Sequence, residues 1–115
     1  MTLREKQALF TRLVGKLIEY AYQQGFELSF GEAYRTPEQA ALNAKSGKGI
    51  FNSLHTQRLA IDLNLFKDGE YLASSSAHKP LGDYWKSLGA DCCWGGDFKP
   101  LADGNHYSLS HEGRK

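Results

Sequence analysis

A strongly apolar segment in the middle of the chain contains two residue types that could do chemistry. The segment "SLHTQRLAIDLNLF" has His55 near its start and Asp62 within a run of alternating leucine and isoleucine. Removing an ionised carboxylate from water costs several kcal/mol unless a cation or hydrogen-bond donors meet it. The segment therefore raises the question of which group compensates the charge of Asp62.

The spacing of these two residues restricts how they can cooperate. A straight strand would separate His55 from Asp62 by about 23 Å, at about 3.3 Å per residue, and a helix would still leave about 10 Å between them. They can share a ligand only if the chain folds back between them, and "TQR" at 56–58 is where we expect the bend. Period-two alternation then places Asp62 on the face opposite the apolar side chains, so we expect it to face a cleft.

A second polar pair lies late in the chain, in "DGNHY", where Asp103 precedes His106 by three positions. Two imidazoles and one carboxylate make a plausible zinc site, because catalytic zinc commonly has three protein ligands and a fourth position for water. Asp103 would then take a proton from that water while the metal polarises a carbonyl.

Structural roles would also explain each of these residues. His55 could be a loop histidine bonded to the backbone, and Asp62 could be paired with Arg58 or Arg35. Asp103 precedes a glycine and has the residue type of a turn former. Spacing alone leaves both interpretations open.

The other histidines and the cysteines fit structural roles. His78 and His111 lie in polar segments, and we expect them to be exposed and uninvolved. The adjacent Cys92 and Cys93 disfavour a disulfide and fit a reducing compartment. We interpret them as partly buried thiols, because a metal or redox role usually needs C-x-x-C spacing.

The bulk properties indicate one globular domain, residues 1–115. The chain has 115 residues, 41% of them hydrophobic, and a formal net charge of +1. This charge gives no case for a nucleic-acid partner or an anionic membrane. The first residues do not resemble a signal peptide and no segment is apolar over the length needed to span a bilayer, so we expect a soluble protein made in the cytosol, without membrane insertion. We also expect it to be a monomer.

Local patterns predict an α+β fold with a small antiparallel sheet and helices packed on one side. Thr2 and Glu5 form a capping box before the first helix, Thr36 and Pro37 begin a second, and Asp68-Gly69 is a strong hairpin turn signal. The predicted helices are Leu3 to about Gln24, a short one after Thr36, and Lys79 to Leu88; the predicted strands start at Phe26, Leu59 and Asn105, and a loop covers 46–53.

The order of several motifs resembles a known family. S-x-H at Ser53 and His55 is followed by A-x-D at Ala60 and Asp62, and later by a tryptophan-glycine element at Trp94 and D-x-x-H at 103–106. Upstream, "YRTPEQ" resembles an element with arginine, serine or threonine, and glutamine in that order. These motifs resemble the VanY-type zinc peptidases of bacterial cell-wall metabolism, which have a hedgehog-like zinc cleft, and most closely the small phage endolysins that act as L-alanyl-D-glutamate peptidases.

The resemblance implies a role for each matching residue. His55, Asp62 and His106 would bind one Zn²⁺, Asp103 would be the general base, and Arg35 would stabilise the oxyanion of the tetrahedral intermediate.

Three further residues would shape the substrate site. Ser53 would contact the substrate backbone. Trp94 would form the cleft wall or, alternatively, be a core aromatic. Arg58 stands where many relatives have glycine, and it could reach a substrate carboxylate such as that of D-glutamate.

The implied function is hydrolysis of the L-alanyl-D-glutamate bond in peptidoglycan stem peptides. Aspartate rather than glutamate at position 103 favours the endolysin branch. The enzyme would lack a separate wall-binding module and would wait in the cytosol until a holin-type protein releases it to the periplasmic wall. Two alternatives remain: a D-alanyl-D-alanine carboxypeptidase or dipeptidase, and a non-catalytic zinc-containing binding module. Regulation by Ca²⁺ around Gly47 and Asp97 is conceivable, but no sequence feature supports it.

Overall fold

The computed structural model describes residues 1–47 and 53–115. The loop predicted over 46–53 therefore lies largely outside the described residues. None of the helices within these two ranges has the length and apolar character needed to cross a membrane.

Three α-helices have the bounds α1 (Leu3–Gln23), α2 (Pro37–Lys45) and α3 (Lys79–Ser87). The predicted capping box at the start of α1 is present, with the Thr2 hydroxyl accepting from the Glu5 backbone and the Glu5 carboxylate accepting from the Thr2 backbone. Thr36 caps α2 and Pro37 occupies its first turn, as predicted. Local side-chain chemistry is thus sufficient to set where α1 and α2 begin.

In the described parts of the chain, five strands form one antiparallel sheet: β1 (Glu27–Phe30), β2 (Ala60–Lys67), β3 (Glu70–Tyr71), β4 (Cys92–Trp94) and β5 (His106–Leu109). Their order is β1-β2-β5-β4, and β3 pairs with the far end of β2. The β2–β3 hairpin turns through Asp68 and Gly69, whose φ angles are 51° and 81°, as a two-residue turn with left-handed residues requires. The predicted α+β fold is confirmed.

The core lies between the sheet and the helices α1 and α3. Trp85 of α3 is fully buried, and its ring meets Phe10 of α1 edge-on at 5.8 Å and Tyr107 of β5 at 6.1 Å. Along β2 the apolar residues Leu63 and Leu65 are fully buried, whereas Asp62, Asn64 and Phe66, which alternate with them, are only partly buried. The predicted alternation of β2 is correct.

Strand β4 was not expected from the sequence. It has three residues and pairs with β5, Cys92 opposite Leu109 and Trp94 opposite Tyr107. Such a short segment has no periodicity of its own, and its pairing partner defines it. Both cysteines are free, as predicted; burial of Cys92 raises the pKa of its thiol to about 11.

The prediction that His78 is exposed was wrong. It ends the 3₁₀ helix Ser75–His78, only 3% of its surface is exposed, and its Nδ1 lies 2.9 Å from the Tyr107 hydroxyl. Burial lowers the pKa of His78 to about 4. The polar neighbours in the sequence face solvent, but the turn directs the imidazole itself into the core.

Candidate metal centre

A tight bend brings His55 back towards β2. The Ser53 hydroxyl accepts a hydrogen bond from the His55 backbone and caps the 3₁₀ helix Leu54–Gln57. Arg58 follows in the left-handed conformation, with φ 56° and ψ 37°, and reverses the chain into β2. The bend predicted at 56–58 is therefore present, and it places His55 Nε2 3.4 Å from Asp62 Oδ1.

Strand pairing supplies the second imidazole. Asp62 of β2 is directly opposite His106 of β5, so their side chains leave the sheet on the same face. His106 Nδ1 lies 3.5 Å from Asp62 Oδ1, and the two imidazole rings are 5.3 Å apart at 76°. One donor atom from each of His55, Asp62 and His106 lies within 4.8 Å of the others.

The charges of these three residues depend on one another. Burial alone would raise the pKa of Asp62, but His106 and His55 lower it to about 2. Burial alone would lower the pKa of His55, but Asp62 raises it above its ordinary value, aided by the Ala33 carbonyl and Glu32. The site thus holds an ionised carboxylate at neutral pH, with two imidazoles beside it.

The polar atoms of the site fit a divalent metal ion. Asp62 Oδ1, the oxygen that His55 Nε2 and His106 Nδ1 both face, is buried and has no hydrogen-bond partner among the described residues. His55 Nδ1–H donates to the Ala33 carbonyl at 3.1 Å, which leaves the Nε2 lone pair directed at Asp62. Metal-binding histidines commonly donate their other ring N–H in this way. The three residues can therefore supply two imidazole nitrogens and one carboxylate oxygen to a cation.

Residues 31–35, among which the sequence predicted a role for Arg35 alone, hold Asp62 from the β1 side. The Gly31 N–H donates to the Asp62 carbonyl, and the Asp62 N–H donates to the Glu32 carbonyl, each at 2.8 Å. A Cβ on Gly31 would lie 3.0 Å from the Asp62 carbonyl oxygen, so the close approach favours glycine here. The antiparallel pairing of β1 with β2 thus continues beyond the end of β1.

The same 31–35 segment also holds His55. Besides the Ala33 carbonyl that receives Nδ1–H, the Arg35 N–H donates to the His55 carbonyl at 3.2 Å. The Arg35 side chain forms an ion pair with Glu32, through Nε at 3.0 Å and through Nη2. The sequence predicted a role for Arg35 in this segment, but it predicted neither the Glu32 partner nor the backbone contacts with His55.

Asp103 lies in a turn that leads into His106. The Asp103 N–H donates to the Gly95 carbonyl at 2.8 Å, and the His106 N–H donates to the Asp103 carbonyl at 3.0 Å. Partial loss of hydration raises the pKa of the Asp103 carboxyl, as does the Asp62 charge, while His106 and His55 oppose the shift. A carboxylate with a raised pKa beside such a cluster is suited to general-base chemistry.

Trp94 and Ser75 stabilise the turn between Asp103 and His106 through hydrogen bonds with Gly104. The Trp94 Nε1–H donates to the Gly104 carbonyl at 2.7 Å, and the Gly104 N–H donates to the Ser75 hydroxyl at 2.9 Å. Trp94 is 6% exposed, which favours the core-aromatic alternative over the cleft wall.

The remaining predicted residues lie near the bend. Ser53 is buried and its hydroxyl is used in capping, as described above. The Arg58 guanidinium stacks on the Tyr34 ring at 3.9 Å and lines an apolar groove of about 370 Å³ together with Phe30 and Ala33. The structure therefore brings the three predicted ligands together and leaves Arg58 to one side of them.

Comparison with known proteins places the chain in a family. Residues 46–109 match a family described as D-alanyl-D-alanine carboxypeptidase. This match covers more than half of the chain and includes all three residues of the candidate metal centre as well as Asp103. The chain belongs to this family, the VanY-type peptidases.

One relative is an L-alanyl-D-glutamate peptidase of a Listeria phage, 32% identical over 104 residues. The alignment covers 85% of this chain and 36% of the phage protein, so the chain spans about a third of that relative's length.

Two solved structures have the same fold. The Serratia marcescens L-Ala D-Glu endopeptidase ChiX superposes with a TM-score of 0.73 at 20% identity, covering 88% of this chain and 77% of that one. The vancomycin resistance D,D-pentapeptidase VanY, solved as a point mutant in complex with Zn(II), gives a TM-score of 0.56 at 17% identity, covering 87% and 70%. Both likenesses confirm the fold predicted from the motifs.

Proposed function

We propose that this domain is a zinc peptidase that hydrolyses the L-alanyl-D-glutamate bond of peptidoglycan stem peptides. The observation that carries the proposal is the convergence of His55, Asp62 and His106 within 4.8 Å, around a buried Asp62 Oδ1 that lacks a hydrogen-bond partner among the described residues. Zn²⁺ bound there would supply Lewis acidity, activating water and polarising the scissile carbonyl.

The residues around the metal would divide the remaining work. Asp103, whose pKa is raised, would accept a proton from the attacking water and return it to the leaving amine. Arg35 would donate hydrogen bonds to the oxyanion that develops on the carbonyl oxygen. Ser53 would orient the substrate backbone, and Arg58 would meet a substrate carboxylate at the groove beside Tyr34.

The choice of bond rests on two named relatives. The phage protein and the Serratia enzyme both carry L-alanyl-D-glutamate activity in their names. The family description and the VanY name instead favour a second candidate, a D,D-carboxypeptidase acting at D-alanine. Product analysis on purified muropeptides separates the two, because the endopeptidase releases the stem peptide from D-glutamate onward and the carboxypeptidase releases free D-alanine.

We also propose that the protein acts as a monomer on the wall after a holin-type protein opens the membrane. Expression in the cytosol alone should then leave cells intact, whereas coexpression with a membrane-permeabilising protein should lyse them. Lysis without permeabilisation would contradict this part of the proposal.

Replacing the proposed general base tests the catalytic assignment. We expect Asp103→Asn to lower kcat by about 10²- to 10⁴-fold, the usual contribution of a positioned base, while one equivalent of zinc stays bound. Hydrolysis of muropeptides and metal analysis of the same sample measure both. Asp68→Asn, at the exposed hairpin turn, is the matched control and should keep full activity. Full activity of Asp103→Asn would refute the assignment.

A further inference from the structure

Glu32 is the described acidic residue that connects Arg35 with the candidate metal centre. Its Oε1 accepts from Arg35 Nε at 3.0 Å and also from Nη2, and the same oxygen lies 3.8 Å from His55 Nδ1. The Arg35 side chain is 14% exposed and that of Glu32 is 34% exposed. One carboxylate oxygen thus lies between the guanidinium and a proposed metal ligand.

From this geometry we infer that Glu32 is a positioning residue that fixes the Arg35 guanidinium beside the metal centre. The inference rests on the proposed function, which assigns Arg35 to the oxyanion. An unrestrained arginine side chain samples many rotamers, and a donor misplaced by about 1 Å can lose about 10²-fold in rate. A fixed acceptor on one edge of the guanidinium removes much of that freedom.

The backbone positions of both residues support this role. The Glu32 carbonyl accepts from the Asp62 N–H, and the Arg35 N–H donates to the His55 carbonyl. Both ends of the ion pair are therefore attached to backbone groups of proposed metal ligands. These hydrogen bonds hold the backbones of Glu32 and Arg35 in place, so the two side chains start from positions that favour their ion pair.

The pair leaves Arg35 able to bind substrate. A guanidinium has five N–H donors in a planar fork, and Glu32 uses one on Nε and one on Nη2. The other donors of the fork have no hydrogen-bond partner among residues 1–47 and 53–115, so an oxyanion could accept from them.

The geometry also argues that Glu32 acts through Arg35 rather than through His55. The distance of 3.8 Å to His55 Nδ1 is too long for a hydrogen bond. That nitrogen already donates to the Ala33 carbonyl at 3.1 Å.

A double-mutant cycle tests the inference. We expect Arg35→Ala to lower kcat on muropeptides by about 10²- to 10³-fold, as for loss of an oxyanion donor. Glu32→Ala should lower kcat at least about tenfold with KM changed less than about twofold. The reason is that a misplaced Arg35 guanidinium weakens the hydrogen bonds to the oxyanion, which forms only in the transition state, and leaves substrate binding largely intact. In the Arg35→Ala background, Glu32→Ala should have no further effect. Asp83→Asn, which breaks the exposed ion pairs with Lys79 and Lys86, is the control and should leave kcat unchanged.

Two further measurements do not depend on activity. The zinc Kd, measured by chelator competition, should change less than about threefold in Glu32→Ala, since the ligand His55 keeps its bond to Ala33. The Nε–H NMR signal of Arg35, assigned with Arg35→Lys, should be protected from solvent exchange in the unmodified protein and lost from the protected set in Glu32→Ala.

Each failure has a distinct meaning. Multiplicative losses in the double variant, or zinc binding weakened as much as kcat, would overturn the inference by showing that Glu32 acts outside Arg35. Full activity of Glu32→Ala beside an inactive Arg35→Ala would overturn the inference alone. Full activity of Arg35→Ala would refute the proposed role of Arg35, and the positioning role with it.

Discussion

Asp62 and His78 are both polar side chains in the interior, but their surroundings keep Asp62 ionised and His78 neutral. Asp62 lies 3.4 and 3.5 Å from two imidazoles, which lower its pKa to about 2 and keep it ionised. His78 faces the Tyr107 hydroxyl, and burial lowers its pKa to about 4, which keeps it neutral. A buried anion needs a cation, whereas a neutral imidazole with one hydrogen bond is a satisfied core residue.

The neutral state of His78 predicts a stability loss in mild acid. Its folded-state pKa of about 4 lies below the ordinary histidine value of 6.5, so its contribution is present above pH 6.5 and is lost as the pH falls towards 4. At about 1.4 kcal/mol per pKa unit, the loss amounts to about 3 kcal/mol. Urea unfolding of the metal-free protein between pH 7 and 4 measures it. His78→Gln should flatten this part of the profile, and an unchanged profile would contradict the assignment.

Two backbone positions next to the site restrict which residues can occupy them, one through its φ angle and the other through lack of space. The bend after His55 needs a left-handed residue, which Arg58 adopts at a cost of about 1 to 2 kcal/mol that glycine avoids. The turn before His106 needs space, because a Cβ on Gly95 would lie 2.0 Å from the Asp103 carbonyl oxygen. Backbone geometry, as well as the ligand side chains, is therefore part of the metal centre.

Two substitutions of Arg58 measure the free-energy cost of the left-handed backbone conformation at the bend. Both Arg58→Gly and Arg58→Ala remove the contact with Tyr34, so they differ in the left-handed conformation. We expect the glycine variant to be about 1 kcal/mol more stable than the alanine variant. Urea unfolding of the two proteins under identical conditions tests this. Equal stabilities would mean that the bend relaxes when the guanidinium is removed.

A pair of glycine substitutions tests the turn. Gly95→Ala must displace the Asp103 carbonyl or the His106 side chain, so we expect a loss of about 1 to 3 kcal/mol and weaker zinc binding. Gly15 lies on the exposed side of α1, where an added Cβ would meet no atom of the described residues within 4 Å, so Gly15→Ala should stabilise by about 0.5 to 1 kcal/mol. Thermal unfolding and zinc titration measure both variants. Undiminished zinc affinity in Gly95→Ala would show that the turn adapts.

The predictability of each element follows from where its determinants lie. The caps of α1 and α2, the Asp68-Gly69 turn and the alternation of β2 are local, and the sequence showed all of them. The three candidate ligands were selected by motif order, since spacing alone left other roles open, and the structure brings them within 4.8 Å of one another. Strand β4 and the 31–35 segment depend on partners distant in the chain, as does the burial of His78, and no local pattern reports such contacts.

A metal ion bound at the candidate site would link parts of the chain that are far apart in sequence. His55 lies in a 3₁₀ helix, Asp62 in β2 and His106 in β5, and these elements belong to one sheet and its flanking bend. Binding to the folded state alone stabilises by about 2.7 kcal/mol at a free concentration of about 100 times Kd. With an ion bound, the candidate site would therefore also contribute to global stability.

Zinc should accordingly raise the melting temperature. At about 4 °C per kcal/mol for a domain near this size, we expect an increase of about 10 °C in a hundredfold excess over Kd. Scanning calorimetry with and without zinc measures it, and a chelator should reverse it. Asp62→Asn should remove the response, whereas Asp83→Asn should retain it. An equal response in Asp62→Asn would place the ion elsewhere.

Because Asp62 and His106 lie directly opposite each other across β2 and β5, ion binding at the candidate site would also depend on the correct pairing of these strands. A slip of one residue in that pairing would send one of the two side chains to the reverse face of the sheet. Chains with this slipped pairing would then bind no zinc. Bound metal would therefore be found on molecules whose strands had paired in the native register.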